Sequence, residues 1–206
     1  MNARSRRRPL FILLLLLGAC GEPPPSLPRL AEDAVILSFG DSLTHGTGAR
    51  AEESYPAVLE RLVSRKVVRS GVPGELSAQG LARLPAELLR HAPALLILCH
   101  GGNDLLRKRP LAALEANLET MVELARAQGT AVLLIGVPRP ALLGLDSAEP
   151  YVKVAEKLGL PFIADALPEI LGDNDLKSDH IHPNAAGYAR LAQAIAEHLG
   201  ERGALP

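Results

Sequence analysis

The chain has 206 residues, with 22 Lys and Arg against 23 Asp and Glu and a formal net charge of −1. That length suits one α/β domain with a sizeable core, and so balanced a charge lacks the basic footprint of nucleic-acid binding, so no nucleic-acid partner is expected. Aromatic residues make up 3% and Trp is absent, which leaves a core of Leu, Val, Ile and Ala.

The first segment is not part of the fold. Arg4, Arg6, Arg7 and Arg8 precede eight apolar residues, 10–17, too few to span a bilayer as a helix. The run ends at Leu17-Gly18-Ala19-Cys20. This resembles the bacterial lipobox, which implies that residues 1–19 are a lipoprotein signal peptide and that Cys20 is lipidated. The protein is then expected on the membrane through a lipid anchor in the bacterial cell envelope, facing the periplasm or on the outer membrane. An ordinary secretory signal ending near a Cys is the alternative. The Arg6-Arg7 pair weakly resembles a twin-arginine signal. Cys99 is the only other cysteine, so lipidation of Cys20 rules out an intramolecular disulfide, and Cys99 reads as a small buried residue. Residues 20–30 contain Pro23, Pro24, Pro25 and Pro28 and read as a polyproline tether of roughly 30 Å, at ~3.1 Å per residue. A single domain is expected over residues 31–206.

Within that domain, short apolar runs alternate with longer amphipathic ones. Residues 34–39, 66–69, 94–99, 131–137 and 161–163 read as strands. The third and fourth are continuously apolar, as central parallel strands covered on both faces should be. Residues 55–65, 78–91, 111–128, 150–158 and 184–199 read as helices, with Gly129 and Gly159 placed as C-terminal caps. The repetition predicts a doubly wound, five-stranded parallel sheet with helices on both faces. Ser42, Gly74, Asn103, Asp179 and His182 then all follow strands, at the carboxyl edge where open α/β sheets hold their sites.

Ser42 stands in Gly40-Asp41-Ser42-Leu43 at the exit of the first strand. A serine hydroxyl needs a base to act as a nucleophile. His182 in Asp179-His180-Ile181-His182 can supply it, and Asp179, three residues earlier, can orient its imidazole. Helix capping is the plain structural alternative for Ser42 and for Asp179. An anion formed on attack needs donors: the Ser42 and Gly74 N–H groups and the Asn103 side-chain amide are candidates. Tight-turn chemistry is the alternative for Gly74, Gly101 and Gly102.

Gly40-Asp41-Ser42-Leu43, Gly74, Gly101-Gly102-Asn103-Asp104 and Asp179-x-x-His182-Pro183 together resemble the four signature blocks of the SGNH, or GDSL, hydrolase family. The similarity covers the whole domain and is nearest to the thioesterase I, lysophospholipase L1 and arylesterase branch, which residues 53–56 and 79–85 also resemble. The resemblance implies a flavodoxin-like three-layer sandwich, no metal, no cofactor, Ser42 as nucleophile, and an oxyanion hole made of the Ser42 N–H, the Gly74 N–H and Asn103. The substrate would be a small-molecule ester, an aryl or short acyl ester or a lysophospholipid. The same residues would serve a carbohydrate O-acetylesterase acting on envelope glycans, and a non-catalytic ligand-binding lipoprotein is the rival from another class. Two positions depart from the family: Arg69 stands where Asn usually opens the second loop, and His180 where Gly is common. His91 and His198 read as exposed helix residues, His45 and His100 as lining the site mouth, and His180 as a rim residue. Leu142, Leu143 and Leu145 in the loop 138–150 are candidates to line an acyl groove.

Overall fold

The computed structural model describes residues 25–141 and 144–205. Its elements in chain order are β1 (Val35–Gly40), α1 (Ser42–His45), α2 (Tyr55–Val63), β2 (Lys66–Gly71), α3 (Ser77–His91), β3 (Leu95–Cys99), α4 (Gly102–Leu106), α5 (Leu111–Ala127), β4 (Ala131–Ile135), β5 (Pro138–Ala141), β6 (Gly144–Ser147), α6 (Glu149–Leu158), β7 (Phe162–Ile163), α7 (Ala166–Gly172) and α8 (Ala185–Glu201). The main sheet is parallel throughout, in the order β2-β1-β3-β4-β7. This is the flavodoxin-like order expected from the sequence. Parallel crossovers are right-handed, so reversing the direction of strand addition after β2 moves the connecting helices to the other face. Accordingly α2 packs with α8 on one face, and α3, α5 and α6 pack together on the other.

β3 reads Leu-Leu-Ile-Leu-Cys and is buried at every position, because helices cover both faces and no side chain has a polar exit. The register pairs Gly40 with Cys99, so β1 and β3 end level and the turns that follow them lie side by side. That is the topological switch point, where a crevice opens between diverging connections. Gly40 is required there by close approach: a Cβ would overlap the Cys99 carbonyl and the Thr44 hydroxyl.

The structure departs from the sequence reading in four places. The loop expected over residues 138–150 contains β5 and β6, which pair antiparallel apart from the main sheet; Pro138 and Pro140, weak strand formers, concealed them. α7 was not anticipated, because it is buried at Ala166, Leu167, Pro168, Ile170 and Leu171 and so shows no amphipathic period. α1 and α4 span four and five residues, too short for periodicity to register. Finally, the stretch 25–30 is docked on the domain. Leu27 and Leu30 are buried, and their N–H groups donate to the carbonyls of Arg202 and Ala204, both at 2.9 Å. The signal peptide, Cys20 and residues 20–24 of the expected tether lie outside the described residues.

The contrast between two glycines tests this packing. Gly200 lies near the end of α8 with nothing within 4 Å of a Cβ position. Gly40→Ala is expected to lower Tm by about 2–12 °C, the effect of an overpacking penalty of about 1–3 kcal/mol in a domain this size. Gly200→Ala should raise Tm by about 1–3 °C through helix propensity. Calorimetry on both variants checks the pair, and equal shifts would contradict the close approach of β1 to β3.

Candidate active site

Asp41, rather than Ser42, caps α1: its Oδ1 accepts the Leu43 N–H at 3.2 Å. The Ser42 hydroxyl is thereby left free of the capping role. It meets His182 Nε2 at 3.0 Å, although 140 residues separate them. His182 Nδ1 lies 2.8 Å from Asp179 Oδ2. The serine, imidazole and carboxylate therefore form one continuous chain of contacts.

The segment holding His182 is shaped locally. Asp179 Oδ1 accepts the backbone N–H groups of Ile181 and His182, both at 2.8 Å, folding the tetrapeptide into a turn. Asp179 caps no helix, since α8 starts at Ala185 with Asn184 as its cap; the carboxylate closes a turn instead, while also holding the imidazole. Ser178 N–H donates to the His182 carbonyl at 2.9 Å. The Asn184 side chain then caps α8 by accepting from Gly187 N–H at 3.0 Å. Gly48, at φ +100, lets the Ser42 loop lie directly on this segment, since a Cβ there would strike Ser178 Oγ and the Pro183 carbonyl.

The electrostatics of the two acids differ. Asp179 is half exposed, at 52% of its side-chain surface, and His182 is mostly covered, at 13%. Partial burial disfavours the Asp179 charge, but the hydrogen bonds from His182 Nδ1 and from the Ile181 and His182 N–H groups outweigh it and hold the carboxyl below its usual range. Asp41 is buried, and burial pushes its carboxyl up against the opposing effects of His100 and the Leu43 and Gly102 N–H groups.

Asn103 lies beside Ser42 in a pocket of about 260 Å³. Its Nδ2 donates to the Glu75 carbonyl at 3.1 Å and lies 3.4 Å from Asp41 Oδ2. Gly102 N–H donates to the same Asp41 oxygen at 3.1 Å. Gly74, at φ +79, is not among the pocket-lining residues; it joins the site through Glu75, one residue on, and its carbonyl accepts from Arg107 at 3.2 Å. The pocket walls are otherwise largely apolar, including Leu105, Leu106, Val137, Leu145, Leu171 and Ile181. Leu145 is where the sequence suggested an acyl groove; Leu142 and Leu143 lie outside the described residues.

The remaining histidines resolve unevenly. His180 lines the pocket, as expected of a rim residue. His45 is exposed and does not line the pocket. His100 is fully buried rather than at the mouth, because it continues the inward-facing end of β3. His91 and His198 are partly covered rather than exposed; His91 packs 3.8 Å from Glu87, and burial together with Arg202 lowers the pKa of His198. Among the described residues, no three His, Cys, Asp or Glu side chains converge as metal ligands. Arg69, standing where the family has Asn, donates to the carbonyls of His45 and Ala51 at 3.2 and 3.4 Å, so it braces the Ser42 loop from outside. Sequence reading gave no role to Asp41, Glu75 or Arg83, although Asp41 lies inside the quoted serine motif.

This arrangement can be set beside known proteins. The esterase TesA of Pseudomonas aeruginosa is 34% identical over 181 residues, covering 82% of this chain and 89% of that protein. Thioesterase 1/protease 1/lysophospholipase L1 of Escherichia coli K12 is 33% identical over 178 residues, covering 83% and 86%. The crystal structure of TesA superposes with a TM-score of 0.70 at 32% identity, over 82% of this chain and 99% of that one. The SGNH-hydrolase family esterase AlinE4 gives 0.64 at 33% identity, over 84% and 98%. The matching family model spans residues 38–190, from within β1 to α8, and so takes in every element that carries Ser42, Asn103, Asp179 and His182. By motif, fold and site geometry alike, the chain belongs to the GDSL-like lipase/acylhydrolase family.

Proposed function

We propose that the chain is a serine carboxylic-ester hydrolase in which Ser42 is the nucleophile, His182 the general base and Asp179 its orienting carboxylate. The observation that carries this is the unbroken contact chain from Ser42 Oγ to His182 Nε2 at 3.0 Å and from His182 Nδ1 to Asp179 Oδ2 at 2.8 Å. Ser42 Oγ adds to the ester carbonyl carbon as its proton passes to His182 Nε2. The carbonyl oxygen becomes an oxyanion, for which the Ser42 N–H, the Gly74 N–H and Asn103 Nδ2 are the donors. Collapse breaks the bond to the alcohol, which leaves with the proton from His182. Water, deprotonated by the same imidazole, then cleaves the acyl-enzyme. The apolar walls favour aryl or acyl esters, lysophospholipids among them, over the acetylated glycan of the rival reading, which needs polar partners along its sugar ring. Full occupancy of the catalytic positions argues against a non-catalytic binding role.

Residues 1–24 supply the support for localisation. The lipobox-like Leu17-Gly18-Ala19-Cys20 supports a reading in which the protein is held in the bacterial envelope by a lipid anchor at Cys20. No helix among the described residues is long and apolar enough to cross a membrane. Cys20→Ser is expected to shift the protein from the membrane fraction to soluble or unprocessed chain, while p-nitrophenyl acetate hydrolysis persists. Recovery of the wild type as soluble, unlipidated chain would remove the anchor.

Ser42→Ala should abolish labelling by a fluorophosphonate probe and lower kcat by about 10⁴-fold or more, with Tm nearly unchanged. His182→Ala should act alike, whereas His180→Ala, at the rim, should lower kcat by no more than about threefold. Full activity in Ser42→Ala would end the serine mechanism; a larger loss at His180 than at His182 would reassign the base.

The acid limb of kcat/KM provides a separate check. Only neutral imidazole acts as base, so kcat/KM rises with pH. Asp179 is held below the ordinary carboxylate range; it therefore stays ionised across that limb and loses its charge only at lower pH. The limb should follow a single proton, with a slope of about 1 on logarithmic axes. A slope of 2 would mean that Asp179 titrates together with His182.

A further inference from the structure

His100 is fully buried, and no step assigned above uses it. Its ring is closely enclosed. Phe39 stands 5.7 Å away between ring centroids, and Gly80 of α3 is so near that a Cβ there would overlap the imidazole. Nδ1 has no hydrogen-bond partner. Nε2 has one, the Glu75 carboxylate, at 3.0 Å. A buried polar nitrogen without a partner is destabilising, and leucine would fill a comparable volume without that cost. The ring is therefore in place for the bond made by its other nitrogen.

That bond bridges two parts of the site. Glu75 lies on the loop between β2 and α3, next to Gly74. Its carboxylate is gripped from one side by Arg83, whose Nη2 and Nε lie at 2.7 and 3.0 Å. Burial opposes the charge, yet His100 and Arg83 together bring the Glu75 carboxyl down to about 2. Arg83 belongs to α3, the helix into which this loop runs, and its Nη2 also donates to the Gly40 and Ser70 carbonyls, both at 3.4 Å, so its grip ties the loop to α3 and to the ends of β1 and β2 but not to β3. His100 follows β3 and stands three residues before Asn103. Its bond is the one that fastens the Glu75 carboxylate to the strand leading to Asn103. The Glu75 carbonyl, in turn, accepts from Asn103 Nδ2 at 3.1 Å, the shorter of that amide's two contacts, and so sets the direction in which the amide faces. Tyr151 fixes the same corner by donating to the His100 carbonyl at 2.8 Å.

We propose that His100 is a positioning residue for the oxyanion donors: by donating Nε2–H to Glu75 it locks the Gly74 loop against β3, so that the Gly74 N–H and the Asn103 amide keep a fixed separation. This rests on the serine-hydrolase reading above and extends it to a residue outside the pocket. A glutamine at this position carries its amide nitrogen about as far as Nε2 of histidine. An asparagine stops near Nδ1 and cannot reach Glu75. The two amides are alike in polarity and differ in reach, so they separate the bond from mere tolerance of a polar group.

The test uses the full chain and the variants His100→Gln, His100→Asn and His100→Leu, with rates on p-nitrophenyl acetate normalised to sites titrated by a fluorophosphonate. Losing an oxyanion donor outright costs about 10²–10³-fold, and misplacing one should cost less. His100→Asn and His100→Leu are expected to lower kcat about 10- to 50-fold with KM within about twofold, and to weaken a trifluoromethyl ketone, a mimic of the tetrahedral adduct, by a similar factor. His100→Gln should keep kcat within about threefold of the wild type. Should His100→Leu not fold, the Gln and Asn pair carries the comparison alone. Equal kcat in Gln and Asn, or a fall in Tm with kcat unchanged, would overturn the positioning role. Failure of the wild type to react with the fluorophosphonate would instead overturn the serine reading on which it rests.

Discussion

The Asp41 carboxylate is the tie on which the site depends. Parallel pairing sets the ends of β1 and β3 side by side, but adjacency alone does not fix two turns relative to each other. Asp41 does so with one buried side chain: Oδ1 takes the Leu43 N–H of its own turn, and Oδ2 takes the Gly102 N–H and faces Asn103 in the neighbouring turn. The N–H groups it accepts open two short helices, whose first amides have no partner within the helix. Burial disfavours its charge, and these donors are what a buried carboxylate needs in place of water. The orientation of Ser42 and that of Asn103 are thus set by the same group.

The second acid works by different means. Asp179 is open to solvent, and its low pKa comes from three local hydrogen bonds rather than from a low-dielectric setting. The turn that those bonds create is also what presents His182, so the charge and the shape of the His182 segment have one cause. The join between that segment and the Ser42 loop is made by backbone approach at Gly48 and by Tyr188, whose hydroxyl donates to the Thr47 carbonyl at 2.8 Å. A contact spanning 140 residues of chain is in this way reduced to a few short-range fits.

The features legible in the sequence were those encoded locally. Continuous apolar runs marked β3 and β4, and alternation with amphipathic helices was enough to imply the parallel sheet. The spacing of Asp179 and His182 fits one turn, and that turn is observed. What stayed hidden was decided by distant partners. Nothing near Glu75 in the chain announces that His100 and Arg83 will close on its carboxylate, and His100 looked like a mouth residue because the direction of a side chain at a strand end depends on what packs against it. α7 escapes the pattern because burial of five of its seven residues erases the periodicity that reveals a helix. The proline-rich stretch 25–30 resembled a free spacer, since proline content reports stiffness and says nothing of the groove at the end of α8 that receives Leu27 and Leu30.

That docked stretch has a directional consequence. Leu27 and Leu30 bind at the C-terminal end of α8, and Arg65, just before β2, donates to the Ala31 carbonyl at 3.2 Å. Both contacts belong to the edge of the sheet where β1 and β2 begin, whereas Ser42 stands where β1 finishes. At ~3.3 Å per residue, six strand residues set these edges about 20 Å apart. The polypeptide therefore enters the domain from the pole opposite the pocket. A fusion partner joined directly at Leu27 would therefore meet the domain on the side away from Ser42 and leave the mouth of the pocket unobstructed.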